Sequence, residues 1–127
     1  MESIKKILIV DDNNVVHEIF KEYFEANGFM AEIAVNGQEG VDKFRNMQPD
    51  VVLMDVQMPV MNGYESSKGI KTMNPNAKIV MVTGHPGDPL AKKSLHEGYV
   101  DTIIPKPCNL SNLFQKVHNT LNPCNIN

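Results

Sequence analysis

The sequence has no tryptophan and two cysteines, Cys108 and Cys124, among its 127 residues. Neither cysteine sits in a metal-binding motif, so a zinc- or disulfide-stapled mini-protein is excluded and two reduced thiols are expected. A basic excess is missing too: 12 Lys+Arg face 15 Asp+Glu, for a net charge of −3. A chain that binds nucleic acid on its own needs cations to neutralise phosphates, so that class is set aside. No apolar run approaches the length of a membrane span, and the opening Met1-Glu2-Ser3-Ile4-Lys5-Lys6 has no signal-peptide core. A cytoplasmic setting without membrane contact is therefore expected. What remains is an ordinary globular composition, 42% hydrophobic and 21% charged, long enough for one domain with a real core.

Three short apolar runs stand out: Ile7-Leu8-Ile9-Val10, Val51-Val52-Leu53-Met54 and Ile79-Val80-Met81-Val82. They are rich in β-branched residues and do not alternate with polar ones, as suits strands buried on both faces of a parallel sheet. Met30 to Val35 and Thr102 to Ile104 are weaker strand candidates. Helical patterns lie between them. The first places Val16, Ile19, Phe20, Tyr23 and Phe24 on one stripe, with Gly28 past its end as a left-handed cap. The second turns Val41 and Phe44 inward before Pro49. The third follows Gly63 and uses Tyr64, Ser67, Ile70 and Met73. The fourth opens with Asp88 as N-cap and Pro89 at its first position and runs toward Gly98. The last uses Leu110, Leu113, Phe114, Val117 and Leu121. A βα unit repeated five times predicts a doubly wound α/β fold with a five-stranded parallel sheet, flavodoxin-like, and helices on both faces. Asn122 to Asn127 read as a short polar tail.

Ligands of an open parallel sheet bind beyond the carboxyl ends of its strands. There the sequence places Asp11 and Asp12 after the first strand, Asp55 after the third, Thr83 after the fourth and Lys106 after the fifth. Three crowded carboxylates repel one another, and a hard divalent cation with oxygen ligands removes the conflict. Asp-Asp alone is an ordinary strand end. With an acid, a hydroxyl and an ammonium at the matching ends of other strands, it is a site.

These stretches carry a resemblance: Ile7-Leu8-Ile9-Val10-Asp11-Asp12, Leu53-Met54-Asp55-Val56-Gln57-Met58-Pro59-Val60-Met61-Asn62-Gly63, Val82-Thr83-Gly84 and Lys106-Pro107. In this order and spacing the chain closely resembles the receiver domain of two-component response regulators, from about Lys5 to Leu121. The resemblance implies that Asp55 is the phosphoacceptor, taking its phosphoryl group from a sensor histidine kinase or a histidine phosphotransfer protein. It implies Mg²⁺ (or Mn²⁺) bound by Asp12, Asp55 and the backbone carbonyl of Gln57, with Asp11 acting largely through a metal-bound water. Thr83 and Lys106 would each hold a phosphoryl oxygen, and Pro107 would follow a cis peptide bond. The phosphorylated form would change how the protein meets a downstream protein target, as a monomer or as a phosphorylation-dependent dimer. Residues 1–121 form the receiver unit and 122–127 the tail. A free-standing regulator and a module of a longer regulator or hybrid kinase fit equally.

Several positions depart from the family pattern. Ile103 stands where the family's switch uses an aromatic ring, and a β-branched aliphatic cannot replace that ring's swing or hydroxyl. Tyr99 lies in a segment one residue longer than usual, either covering part of the same face or exposed as a plain insertion. Gln57 and His85 border the phosphoryl site. His17, His96 and His118 show no ligand spacing and are expected at the surface or its boundary. Cys108 reads as a small buried hydrophobe, and Met58-Pro59 and Asn62-Gly63 shape the loop after Asp55, where Asn-Gly accepts left-handed conformations. Competing functions each lack a part. An aspartyl-phosphate phosphohydrolase needs a second acid two residues after Asp55, where Gln57 stands. A flavodoxin-like carrier needs a phosphate loop where Asp11 and Asp12 would repel the ligand. A receiver used only for docking has no need of all five site residues.

Overall fold

The computed structural model describes residues 5–85 and 87–122. Cys124, Met1 to Ile4 and residues 123–127 of the expected tail lie outside the described residues. The strands are β1 (Lys5–Val10), β2 (Phe29–Ala34), β3 (Val51–Met54), β4 (Ile79–Thr83) and β5 (Thr102–Pro105). The helices are α1 (Asn14–Ala26), α2 (Gly37–Met47), α3 (Gly63–Met73), α4 (Pro89–His96) and α5 (Leu110–Leu121). All four strand pairings are parallel, in the order β2-β1-β3-β4-β5.

The non-alternating runs are buried on both faces for a simple reason. Successive side chains of a strand point to opposite sides. Leu8 and Val10 join one core with Val41 and Phe44 of α2, Ile70 of α3 and Ala91 of α4. Ile7 and Ile9 join the other with Phe20 and Phe24 of α1 and Leu113 and Val117 of α5. Helices therefore cover both faces. The caps follow the expected chemistry: Asn13, Asn36, Asn62, Asp88 and Asn109 each accept a backbone N–H in the first turn of α1 to α5. Gly28 takes its left-handed place after α1, with φ 92°.

The stripe of α1 is rotated from the one expected. Its buried residues are His17, Phe20 and Phe24, with Val16 and Tyr23 at the margin, while Ile19 is exposed. Phe24 sits among Tyr23, Phe29 and Phe114, with ring centroids 5.3 to 5.8 Å away. That aromatic nest sets the helix rotation, because large rings bring more apolar area than Ile19 does. Met73, expected inward on α3, is exposed at the helix end, and the buried positions there are Gly63, Ser66, Ser67 and Ile70.

Candidate functional site

The chain reverses direction across the sheet between β1 and β3, and the site lies at that reversal. Register carries the acids together. Val10 pairs with Met54, and the Asp55 N–H donates to the Val10 carbonyl at 3.0 Å. Asp11 and Asp55 therefore leave neighbouring strands at the same level. On the far side, Thr83 pairs with Pro105, and the Lys106 N–H donates to the Thr83 carbonyl at 2.8 Å. Lys106 reaches back across the rim. Its Nζ lies 2.7 Å from Asp11 Oδ2 and 3.4 Å from Asp55 Oδ2.

Carboxylate oxygens of Asp11, Asp12 and Asp55 lie within 4.8 Å of one another. Burial pushes the Asp55 carboxyl up; the Lys106 ammonium pulls it down, the Asp11 charge pushes it up again, and the net shift is upward. Burial alone would lower Lys106. The hydrogen bond to Asp11 and the charges of Asp55 and Asp11 outweigh it, so its pKa lies above the ordinary lysine value. One ammonium thus serves two acids and leaves a third beside them. An all-oxygen, multiply charged donor set of this kind suits a hard divalent cation. Thr83 is fully buried. Its Oγ1 accepts the His85 N–H at 3.0 Å, so its own hydroxyl hydrogen is available to a ligand.

The loop after Asp55 passes very close to the acid. The Gly63 N–H donates to the Val56 carbonyl at 2.8 Å, and the Gly37 N–H to the Met61 carbonyl at 3.0 Å. Gly63 packs directly under Asp55. A Cβ at Gly63 would stand 1.9 Å from the Asp55 carbonyl oxygen. This corrects the expectation for Asn62-Gly63: Asn62 is an extended N-cap, with φ −78°, and the left-handed residue is Val60, φ 71°. Gly63 is needed for space rather than for its backbone angle. Val60 is 82% exposed, and a β-branched residue in that region is strained by about 1–2 kcal/mol. Val60→Gly should raise stability by about 1 kcal/mol, a rise in Tm of roughly 4 °C. Thermal unfolding checks this, and an unchanged or lower Tm contradicts it.

The pattern has a known counterpart. Residues 7–118 match the family model of the response regulator receiver domain. The chain belongs to that family. Its curated relatives include the chemotaxis protein CheY of Thermotoga maritima, 35% identical over 101 residues, which are 79% of this chain and 84% of the relative. A segment of the sensor kinase/phosphatase LuxN of Vibrio campbellii also matches at 35% identity; it is 91% of this chain but 13% of that protein. Among solved structures, a CheY-like receiver domain protein from Methanospirillum hungatei JF-1 superposes with a TM-score of 0.89 at 34% identity, covering 94% of each chain. The response regulator TrrA of Thermotoga maritima, solved in complex with Mg²⁺-BeF, has a TM-score of 0.81 at 30% identity, covering 92% of this chain and 99% of its own.

Within this receiver domain, several residues stand elsewhere than expected. His17 is not at the surface: it is 5% exposed, and its Nδ1 lies 2.8 Å from the Asp11 carbonyl oxygen. A sequence signal existed, since His17, Phe20 and Phe24 share helical spacing, but a histidine on an apolar stripe does not announce its partner. The Gln57 side-chain amide donates to Asp88, the N-cap of α4, a link between the loop after Asp55 and the fourth helix that no local pattern reveals. His85 is exposed, as are His96 and His118. Tyr99 is half-buried rather than exposed and packs edge-on against Tyr64 at 5.8 Å. Ile103 packs partly buried on the core shared by α2, α3 and α4. Cys108 is half-buried, and burial pushes its thiol up against the opposing pull of Lys106. The Lys106–Pro107 peptide bond is cis.

Proposed function

We propose that this receiver domain is a phosphoryl-accepting switch with Asp55 as its acceptor. A carboxylate oxygen of Asp55 attacks the phosphorus of a phosphohistidine carried by a sensor kinase or phosphotransfer protein. The P–O bond forms as the P–N bond breaks, and the departing imidazole takes its proton from solvent. Mg²⁺ or Mn²⁺, when bound, would be held by Asp12, Asp55 and the Gln57 backbone carbonyl, with Asp11 acting largely through a water, and would supply positive charge to the phosphoryl oxygens. Lys106 pairs with one of those oxygens and the Thr83 hydroxyl donates to another. Phosphoryl transfer asks chiefly for alignment and charge neutralisation, and these residues offer both.

The observation that carries the reading is the position of Lys106 Nζ, 2.7 Å from Asp11 and 3.4 Å from Asp55, beside three clustered carboxylates. The Mg²⁺-BeF complex of the related TrrA supports the metal assignment. Self-directed uptake and loss of the phosphoryl group are the only chemistry assigned. Gln57 occupies the place where a phosphohydrolase needs its acid, and its amide is engaged by Asp88.

A protein donor fits the surroundings of the site. Val15, Ile19, Val35 and Val60 are exposed apolar side chains on or near the rim that carries Asp55. A groove of about 360 Å³ runs from Lys106 and Pro107 along Val16, Ile19 and Phe20 to Leu110. Exposed apolar side chains around a reactive group suit contact with a protein surface. Residues 1–121 act as the signalling unit, with 122–127 as a tail, in the cytoplasm, and the phosphorylated form engages a downstream protein. No described helix is long and apolar enough to cross a membrane.

With Mg²⁺ and acetyl phosphate, intact-mass spectrometry should find one added phosphoryl group, and chelating the metal should abolish its uptake. Absence of uptake contradicts the switch. Undiminished uptake in chelator contradicts the metal's part in it.

A further inference from the structure

We propose that His17 is a positioning residue for the metal-binding acids, acting through the peptide plane that joins Asp11 to Asp12. The proposal rests on the function given above and goes beyond it to a residue outside the acidic cluster.

Asp11 is 3% exposed, and each of its polar groups has a partner. Its N–H donates to the Ala34 carbonyl at 3.0 Å. Its Oδ1 accepts the Asn13 N–H at 2.8 Å, and its Oδ2 accepts from Lys106 at 2.7 Å. Its carbonyl lies beyond the end of β1, where the ladder provides no further donor: the Asp55 N–H is already taken by Val10. His17 fills that gap from the first turns of α1, with Nδ1 at 2.8 Å. A carbonyl only accepts, so this bond requires the hydrogen on Nδ1. The ring is itself 5% exposed and is packed on the stripe it shares with Phe20 and Phe24.

The Asp11 carbonyl belongs to the same rigid peptide plane as the Asp12 N–H. Turning that plane turns the start of Asp12. The Asp12 carboxylate is exposed, and the backbone that carries it determines where it points. Without a donor at residue 17, the Asp11 carbonyl is a buried acceptor with no partner and rotates toward water. Asp12 then swings out of register with Asp55. His17 thus orients a metal ligand from outside the ligand set, a role whose loss typically weakens metal affinity by about 10- to 100-fold.

Two substitutions separate this role from packing. His17→Leu keeps apolar bulk and removes the donor. His17→Asn keeps an N–H where Nδ1 stands and loses bulk. By titration calorimetry His17→Leu should bind Mg²⁺ about tenfold more weakly than the wild type, and His17→Asn within about threefold of it. Saturating Mg²⁺ should restore phosphoryl uptake in His17→Leu. Equal affinity of His17→Leu and wild type overturns the proposal. So does an Asn variant as weak as the Leu variant, which would assign the effect to ring packing. Should the Leu variant not fold, ring ¹⁵N NMR of the wild type decides: a slowly exchanging proton on Nδ1 supports the bond, and an unprotonated Nδ1 overturns it. A wild type that takes up no Mg²⁺ overturns the metal site itself along with this inference, whereas failure confined to the variants leaves the metal site standing.

Discussion

Gly63→Ala should destabilise the protein by about 3–4 kcal/mol, a large share of a typical domain's stability. The new Cβ would meet the Asp55 carbonyl oxygen at 1.9 Å, the Asp55 carbonyl carbon at 2.8 Å and the Val56 Cα at 2.9 Å. All three are backbone atoms at the end of a fully buried strand, so no side chain can rotate to make room. Either β3 or the start of α3 must move, and the Gly63-to-Val56 hydrogen bond breaks with it. Gly69→Ala, six residues on in the same helix, is the control. Its Cβ would meet only Val41 Cγ2, at an ordinary 3.4 Å, and replacing a mid-helix glycine gains about 0.5–1 kcal/mol. Chemical denaturation of the two variants should give opposite signs. A Gly63→Ala protein as stable as the wild type would mean that the loop does not lie against Asp55.

Asp55→Asn should abolish phosphoryl uptake and, in metal-free buffer near neutral pH, make the protein more stable. The first effect is total because an amide is not a nucleophile of this kind. The second follows from electrostatics. Burial, with the Asp11 charge added, raises the Asp55 pKa above its ordinary value despite Lys106. The folded state therefore holds that proton more tightly than the unfolded state, and its stability falls as pH rises through the interval between the two pKa values. The burden is absent below the unfolded value and complete above the folded one. Asparagine removes it, so at neutral pH Asp55→Asn should melt above the wild type. The gain should shrink on acidification as the wild-type carboxyl becomes protonated. Saturating Mg²⁺ should reverse the order, since a cation bound at 100 times its Kd adds about 2.7 kcal/mol to the wild type. Melting curves at several pH values, with and without Mg²⁺, check all three statements. A neutral-pH Tm for Asp55→Asn below the wild type would contradict the electrostatic account.

The strand ends were legible because their chemistry is local. Buried parallel strands need uninterrupted β-branched runs, and a polar residue just after such a run marks the rim. Asp11, Asp12, Asp55, Thr83 and Lys106 each stand just at such a strand end, and the three carboxylates meet there beside Lys106. What escaped depended on contacts between distant parts of the chain. The rotation of α1 is decided by Phe24 meeting Phe29 and Phe114, which buries His17 and exposes Ile19, although both lie near the same apolar stripe. The left-handed residue after Asp55 is Val60 rather than Asn62 or Gly63. Local propensity favours asparagine and glycine there, but Gly63 is held under Asp55 and the turn is taken up earlier. The Gln57-to-Asp88 hydrogen bond joins residues 31 apart in sequence, each unremarkable where it stands.

The central claim is that Asp55, and not a neighbouring acid, carries the phosphoryl group. Asp11 and Asp12 lie close enough to make the question real, with carboxylate oxygens within 4.8 Å of those of Asp55. Borohydride reduces an aspartyl phosphate and leaves a stable mark on the residue that bore it. Phosphorylating the protein with acetyl phosphate and Mg²⁺, trapping with borohydride and mapping the peptides should place the mark on Asp55. A mark on Asp11 or Asp12, or a phosphoryl group recovered on a histidine, would contradict the account.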